Sequence, residues 1–346
     1  MVRRWLAGLL LGLGLLVPVP SESGEPVVSV IDLHVDLPYR SLYKGASFSQ
    51  AGGQFSVESL ARGGVRGVVL PLFIPREQEP EGRSAAEFER YYARLYDALA
   101  AHPPYSLPGC GVEQAGASRR SVWTWLSLEG AGDLGLSPAT LAHWAARGLR
   151  LVGLVHAEAN ALGTSSGESS PGPGLTSEGE VFAREAFRLG LAVDVSHASD
   201  ELTDAVLTLA EEGGGRVVAS HSNARALARH PRNLTDAQLR RLGALGGVVG
   251  VNFHQPYLRR GGVATLQDVV DQVLYIRRLA GVGAVALGSD YEGGIRPAQG
   301  LASAADYPAL ARALRRAGLS RAEVNAVFSG NALRVLCGVE KSPDGW

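Results

Sequence analysis

The chain has 346 residues, of which 46% are hydrophobic, so it is long enough to bury a large core. Its 33 basic and 34 acidic residues leave a formal net charge of −1. This balance, with no stripe of Lys and Arg, argues against a nucleic-acid-binding protein, because such a protein must present basic side chains to the phosphates.

The first 26 residues differ from the rest of the chain and are predicted to be a secretory signal peptide. Arg3 and Arg4 precede an apolar run over residues 5–17, and prolines and small polar residues follow it. This order is typical of secretory signals, and the run is shorter than the roughly 20 residues of a membrane span. We therefore expect an exported protein, periplasmic or extracellular, with no membrane span in the mature chain. The alternative is an N-terminal anchor that is not cleaved.

Eight later segments have the apolar, β-branched character of buried parallel strands, and helical segments alternate with them. The predicted strands are 27–34, 65–74, 123–130, 149–156, 191–197, 216–221, 246–253 and 282–290. This alternation predicts a (β/α)8 TIM-like barrel as a single domain over residues 27–340, followed by a polar tail at 341–346. An open doubly wound sheet is the alternative, but the first strand is not followed by GxGxxG and no Walker A motif is present.

The helical segments show spacing and capping signals of their own. Aromatic and leucine side chains recur at helical spacing over residues 84–101. Capping boxes that begin at Ser177, Thr235 and Ser320 predict the starts of three further helices. Two longer helices are expected near residues 200–212 and 265–280, which completes the alternation with the strands.

Six of the predicted strands end at a side chain that can bind a metal ion or take part in catalysis. These side chains are His34 with Asp36, Glu129, His156, His197, His221 and Asp290. The carboxyl ends of the strands of such a barrel meet at one mouth, so these side chains are expected to converge. His34 and Asp36 are two residues apart and would point to the same side of a strand.

The number of candidate ligands indicates more than one metal ion. Three histidines (His34, His197 and His221) and two carboxylates (Asp36 and Glu129) exceed the three protein ligands of one catalytic zinc ion. Five such ligands suit two metal ions that share a carboxylate. A nearby carboxylate on the opposite face of its strand, Asp194, is expected to support the fold or the site rather than to bind metal.

The motifs around these residues resemble the membrane (renal) dipeptidase family of zinc peptidases. The segments that carry the resemblance are IDLHVDLP, SLEGAGDLG, GLTSEG with VDVSHASD, VASHSNARALARHPRNLTD and LGSDYEGG, in this order. They extend over nearly all of residues 29–337. The resemblance implies a distorted (β/α)8 barrel that hydrolyses short dipeptides with a free C-terminal carboxylate and tolerates a D-residue at that end.

The resemblance also implies a dinuclear zinc centre as the cofactor. His34 and Asp36 would bind one Zn²⁺, and His197 and His221 would bind the other. Glu129 would bridge the two ions together with a water or hydroxide. The chemistry agrees with this assignment, since two zinc ions lower the pKa of a shared water toward neutrality.

Three further residues take roles in catalysis and substrate binding through the same resemblance. His156 would hold the substrate carbonyl and stabilise the oxyanion. Arg232 would bind the C-terminal carboxylate of the dipeptide, which suits its planar guanidinium, although the sequence alone also allows a surface ion pair. Asp290 would orient the bridging water and move its proton to the leaving amine.

Several alternatives stay open on the sequence. A protein with the same fold could act on another amide or on an ester such as a lactone, which offers Arg232 no carboxylate. A non-catalytic peptide-binding or metal-binding protein could keep the same site.

The second predicted strand reads VVLPLFIP where many relatives have a Phe-Trp pair. This difference bears on the shape of the pocket and therefore on substrate preference. Relatives are often dimers, so a homodimer is possible. Cys110 and Cys337 could pair or stay separate thiols.

Overall fold

The computed structural model describes residues 28–47, 53–75, 84–101, 105–106, 110, 121–167 and 172–338. The predicted signal peptide (1–26) and the polar tail (341–346) lie outside these residues. None of the helices in the described part of the chain combines the length and hydropathy that a membrane crossing requires.

A closed barrel of eight parallel strands forms the centre of the protein, as predicted. Its strands are β1 (Val30–Asp32), β2 (Val65–Leu72), β4 (Val122–Leu128), β5 (Leu149–Gly153), β6 (Ala192–Asp194), β7 (Arg216–Ser222), β8 (Val248–Val251) and β9 (Val285–Leu287). The strands pair in this order, and β9 pairs with β1 to close the barrel. A two-residue strand that was not predicted, β3 (Tyr105–Ser106), pairs with the start of β4.

Helices connect the strands along the outside of the barrel. The described α-helices are α1 (Leu37–Lys44), α2 (Val57–Gly63), α3 (Ala85–Ala101), α4 (Leu141–Ala146), α5 (Ser177–Arg188), α6 (Asp200–Gly213), α7 (Asp236–Ala244), α8 (Gln255–Leu258), α9 (Leu266–Ala280), α10 (Tyr307–Arg316), α11 (Arg321–Asn325) and α12 (Asn331–Cys337). Short 3₁₀ turns lie at 131–134, 138–140, 282–284 and 304–306, and a π-helical turn at 326–330 precedes α12.

Two of the three predicted capping boxes are confirmed. Thr235 and Ser320 cap α7 and α11, and in each case the third helical residue bonds back to the capping residue. The prediction at Ser177 is wrong, because the hydroxyl of Thr176 accepts the hydrogen bond from the Gly179 backbone N–H. Thr176 has the extended backbone of a cap, which directs its side chain to the first turn and leaves Ser177 as a helical residue.

The interior of the barrel is filled by alternate side chains of the strands, with Trp125 of β4 fully buried among them. At the end of the barrel opposite the carboxyl ends of the strands, α12 packs against this interior. A disulfide joins Cys110 to Cys337, the last residue of α12, with their Cα atoms 5.1 Å apart. The disulfide holds together segments 227 residues apart in sequence and excludes the alternative of two separate thiols.

A buried carboxylate, Asp32, ties the end of β1 to two distant elements. One of its oxygens accepts hydrogen bonds from the backbone N–H groups of His34 and Ser289, both at 3.0 Å. The other accepts a hydrogen bond from the hydroxyl of Tyr307, at the start of α10. Burial raises the pKa of Asp32, and its hydrogen bonds act in the opposite direction. A carboxylate without water contact depends on these donors for its stability.

Replacing Tyr307 with phenylalanine is expected to destabilise the fold, because it removes one of the donors to a fully buried carboxylate. We expect the free energy of unfolding to fall by roughly 1–3 kcal/mol, the usual cost of a buried polar group left without its partner. Urea unfolding of Tyr307→Phe beside the surface variant Tyr96→Phe measures the difference, since Tyr96 is half exposed. Equal losses in the two variants would contradict the role given to Tyr307.

Candidate metal centre and substrate pocket

The candidate ligands stand at the carboxyl ends of the strands, at or just beyond the point where each strand ends. Glu129 follows β4 directly, and His34 comes two residues after β1. His156 and His197 come three residues after the ends of β5 and β6. His221 is the second-to-last residue of β7. Except for β7, which contains His221, the strands that carry these side chains are shorter than predicted, because the backbone leaves the sheet before each candidate ligand.

The Glu129 carboxylate lies at the centre of four imidazoles. Its Oε1 atom is 3.0 Å from Nε2 of His197, 3.6 Å from Nε2 of His34, 3.6 Å from Nε2 of His221 and 3.8 Å from Nε2 of His156. Each of these rings therefore directs the same nitrogen at one carboxylate. This arrangement fits the bridging position that the sequence predicts for Glu129.

Three overlapping groups of side chains have the spacing of a metal site. They are His34, Glu129 and His221; Glu129, His156 and His197; and His34, Asp36 and Asp290. Within each group the ligand atoms lie within 4.8 Å of one another. Nitrogen and carboxylate donors of this kind are the set that zinc prefers, and the groups share Glu129 or His34 as two adjacent ions would require.

The protonation states of the site also suit a bound cation. Burial lowers the pKa of His34 to about 4 and holds the pKa values of His197 and His221 well below the ordinary value. These rings are therefore neutral near pH 7, as metal ligands must be. Burial raises the pKa of Asp36 well above its usual range, with Glu129 and Asp290 adding to the shift. Crowded buried carboxylates of this kind are stabilised by a metal cation.

His156 differs from the other three imidazoles in its exposure. Its side chain is 30% exposed, against 15% for His197 and 2% for both His34 and His221. Its ring lies between Phe73 and the ring of His197. Distance alone would allow His156 to bind a metal ion, but its open position suits contact with a substrate.

The segment over residues 161–176, which follows β5 and is rich in Gly, Ser and Pro, supports the site from behind. Ser165 and its neighbours Thr164 and Ser166 are buried. The Ser165 hydroxyl donates a hydrogen bond of 2.5 Å to the His156 carbonyl, and Ser166 N–H donates to the His197 carbonyl. The described part of the segment, which lacks 168–171, thus holds two histidines in place and contributes no side chain to the cavity lining.

Asp290 lies beside the ligand cluster on a strained backbone. Its φ of 66° is in the left-handed region, which is costly for a residue other than glycine and is often found at functional sites. Its backbone N–H donates to the His34 carbonyl, and its Oδ2 accepts a 2.9 Å hydrogen bond from Asn252. Burial raises the pKa of Asp290 to about 6.

Arg232 is a buried cation on the wall of the site, which excludes the alternative of a surface ion pair. Arg232 is 8% exposed, and its guanidinium carbon lies 5.6 Å from the centre of the Tyr257 ring. Nη2 donates a long hydrogen bond of 3.5 Å to the His221 carbonyl, while Nε and Nη1 have no partner among the described residues. A buried guanidinium with unpaired nitrogens in the wall of a cavity is suited to an anionic ligand.

The cavity at this mouth has a volume of about 440 Å³. Seven of the eight predicted site residues line it: Asp36, Glu129, His156, His197, His221, Arg232 and Asp290. His34 lies beneath them, out of contact with the open space. The cavity is also lined by three residues that the sequence did not assign: Asp133, Glu158 and Tyr257. Asp133 belongs to the SLEGAGDLG motif, so the motif itself was a signal for it.

Comparisons with known proteins agree with this geometry. The family model described as membrane dipeptidase (peptidase family M19) matches residues 26–344. The chain is similar to an uncharacterised dipeptidase of Schizosaccharomyces pombe, with 34% identity over 216 residues, 61% of this chain and 51% of that protein. The chain therefore spans about half the length of that relative.

Two solved structures share the fold. A dipeptidase of the same peptidase family gives a TM-score of 0.79 at 25% identity, and the alignment covers 91% of this chain and 100% of that one. A metallopeptidase of Rhodobacter sphaeroides, bound to a phosphinate mimic of L-Ala-D-Ala, gives a TM-score of 0.78 at 24% identity, covering 90% and 99%. Both similarities extend over about nine tenths of this chain.

Proposed function

Because the chain belongs to the membrane dipeptidase family, peptidase family M19, we propose that it hydrolyses dipeptides with two zinc ions bound at the mouth of the barrel. His34 and Asp36 would hold one ion, His197 and His221 the other, and Glu129 both. The observation that carries the proposal is the buried guanidinium of Arg232, which lines the same cavity as four of these five ligands and whose Nε and Nη1 have no partner among the described residues. A dipeptide supplies the carboxylate that this cation lacks.

The residues around the cavity divide the chemistry among them. Zinc ions held there would activate a water for attack and polarise the scissile carbonyl. The exposed imidazole of His156 would stabilise the negative charge that develops on the carbonyl oxygen. Asp290, whose pKa burial raises to about 6, would take the proton of the water and pass it to the leaving amine. Its hydrogen bond from Asn252 holds the carboxylate in position.

Charged residues of both signs line the cavity and suit the two ends of a dipeptide. Arg232 would bind the C-terminal carboxylate, and Asp133 and Glu158, which line the cavity as well, place negative charge where a free amino group could bind. The ligand of the similar Rhodobacter sphaeroides enzyme, a mimic of L-Ala-D-Ala, supports tolerance of a D-residue at the C-terminal position.

The proposal is tested by assaying the zinc-loaded protein on L-Ala-D-Ala and Gly-D-Ala. We expect hydrolysis that stops when a chelator removes the zinc and returns when zinc is restored. The amide of L-Ala-D-Ala, which lacks the carboxylate, is the matched control and should be a much poorer substrate. A protein with two zinc ions per chain that turns over no member of a broad dipeptide panel would sink the proposal and favour a peptide-binding role.

We also propose that the protein is exported. The signal-like segment over residues 1–26 supports export, and so does the disulfide between Cys110 and Cys337, since such bonds persist mainly in oxidising compartments. N-terminal sequencing of the protein purified from the periplasm or medium of an expressing bacterium would detect cleavage. Retention of the full chain in the membrane fraction would favour an anchor instead.

A further inference from the structure

A single hydroxyl lies behind two of the proposed ligands. Ser220, in β7, is fully buried, and its Oγ is 2.8 Å from Nδ1 of His221 and 3.3 Å from Nδ1 of His34. The two rings stand 3.6 Å apart between centroids, so both present their Nδ1 edges to the same oxygen. Their Nε2 atoms face the other way, each 3.6 Å from Glu129.

The binding of metal through Nε2 decides the direction of every hydrogen bond in this cluster. A neutral imidazole that binds a metal ion through Nε2 carries its proton on Nδ1. His34 and His221 would therefore both donate to Ser220 and occupy the two lone pairs of its oxygen. The Ser220 proton must then be donated elsewhere, and Ser196 Oγ lies 3.2 Å away.

The chain of donors ends at a buried carboxylate. Ser196 donates its proton to Asp194 Oδ1 at 2.7 Å, so its own oxygen is free to accept from Ser220 and from the His221 backbone N–H. Asp194 also accepts from the backbone N–H groups of Ser196 and Ser220. Each N–H and O–H proton of these side chains then has an acceptor. The hydrogen bonds run from the two imidazoles through two hydroxyls to one carboxylate.

The backbone leaves this hydroxyl little freedom to move. The Ser220 carbonyl lies so close to Gly250 of β8 and to Gly288 that a Cβ atom at either glycine would be within 1.9 Å of it. The pairing of β7 with β8 shifts register between Ala219 and Ser222, where Ser220 and His221 lie. Close contact at the Ser220 carbonyl and the hydrogen bond from its N–H to Asp194 hold the backbone of Ser220 in place. The position of its Oγ is therefore restricted.

We propose that Ser220 is a positioning residue that orients a ligand of each zinc ion at once and couples both to Asp194. The inference rests on the proposed dinuclear site, in which His34 and His221 bind different ions. Partners that hold the second nitrogen of a metal-binding histidine typically change metal affinity by 10–100-fold. Here one hydroxyl serves two histidines, so its loss should weaken both ions rather than one.

The test is the affinity of the Ser220→Ala variant for zinc, measured by competition with a chromophoric chelator. We expect the dissociation constants of both zinc ions to rise by about 10–100-fold. Ser222→Ala is the matched control, because Ser222 is equally buried on the same strand and its hydroxyl has no partner among the described residues. It should keep wild-type affinity. Wild-type affinity in Ser220→Ala, or weakening of only one ion, would overturn the proposal.

A second measurement uses the wild-type protein, so it does not depend on whether the Ser220→Ala variant folds. In the zinc-loaded wild-type protein, ¹⁵N NMR of the imidazoles should show the proton on Nδ1 in both His34 and His221. A proton on Nε2 of either ring would overturn the proposal. Failure of the proposed function is recognised separately: a wild-type protein that binds two zinc ions with these tautomers but cleaves no dipeptide would refute the dipeptidase activity and leave the role of Ser220 intact.

Discussion

Replacing Glu129 with glutamine is expected to abolish dipeptide hydrolysis and to lower the zinc content from two ions per chain to one or none. The change removes the one negative charge that lies within 3.0–3.8 Å of four imidazoles while it keeps the size of the side chain. Metal ions stabilise such a transition state by several kcal/mol. Losing that stabilisation should lower kcat/KM by about 10³-fold or more. Metal analysis and a dipeptide assay of the same preparation measure both effects.

Two companion variants make this result specific. Glu129→Asp retains the charge on a shorter side chain, so it should bind more zinc than Glu129→Gln and less than the wild type. Glu178→Gln makes the same chemical change on the exposed first turn of α5 and should alter neither zinc content nor activity. If Glu129→Gln kept two zinc ions and normal turnover, Glu129 would not be the bridging ligand.

Replacing Arg232 with alanine is expected to reduce kcat/KM for L-Ala-D-Ala by about 10²–10³-fold, mainly through KM. Two charge-assisted hydrogen bonds of roughly 1.5–2 kcal/mol each account for a loss of that size. Arg232→Lys should fall between the variant and the wild type, because it restores the charge without the planar pair of donors. Michaelis curves for the three proteins at constant zinc content give the values.

The substrate series separates carboxylate binding from a general loss of structure. An ester or amide without a C-terminal carboxylate should be turned over, however slowly, at the same rate by Arg232→Ala and the wild type. Arg229→Ala, which removes an exposed guanidinium three residues earlier, should leave dipeptide kinetics unchanged. Equal losses on the dipeptide and on the neutral ester would indicate a general loss of structure and would contradict the role of Arg232 in binding the carboxylate.

The fold and the positions of the candidate ligands could be predicted from the sequence because both depend on local patterns. Buried parallel strands are continuous apolar runs, and in a barrel their carboxyl ends must share one mouth. A histidine or carboxylate at the end of such a run is therefore placed with the others before any contact is known, as Glu129 and His221 are. Arg232 ends no strand, and only the motif around it pointed to the site.

Exact boundaries were less predictable, since they depend on competition between neighbouring residues. Most of the strands end before their candidate ligands because the backbone turns to direct each side chain inward, whereas His221 lies within β7. The cap of α5 is Thr176 rather than Ser177, a choice between adjacent hydroxyls that the extended backbone of Thr176 decides. The pairing of Cys110 with Cys337 could not be predicted either, because a separation of 227 residues in sequence says nothing about the distance in space.

The barrel, the convergence of histidines and carboxylates and, through the motifs, the family follow from patterns in the sequence. The contacts around and behind these side chains depend on the folded chain: Tyr257 against Arg232, Asp32 at the end of β1, and Ser220 between two imidazoles. A serine has no pattern that announces such a role, because the role depends on which side chains the fold brings to its oxygen. His34 is 186 residues away from Ser220 in the chain, and only closure of the barrel places the two within 3.3 Å.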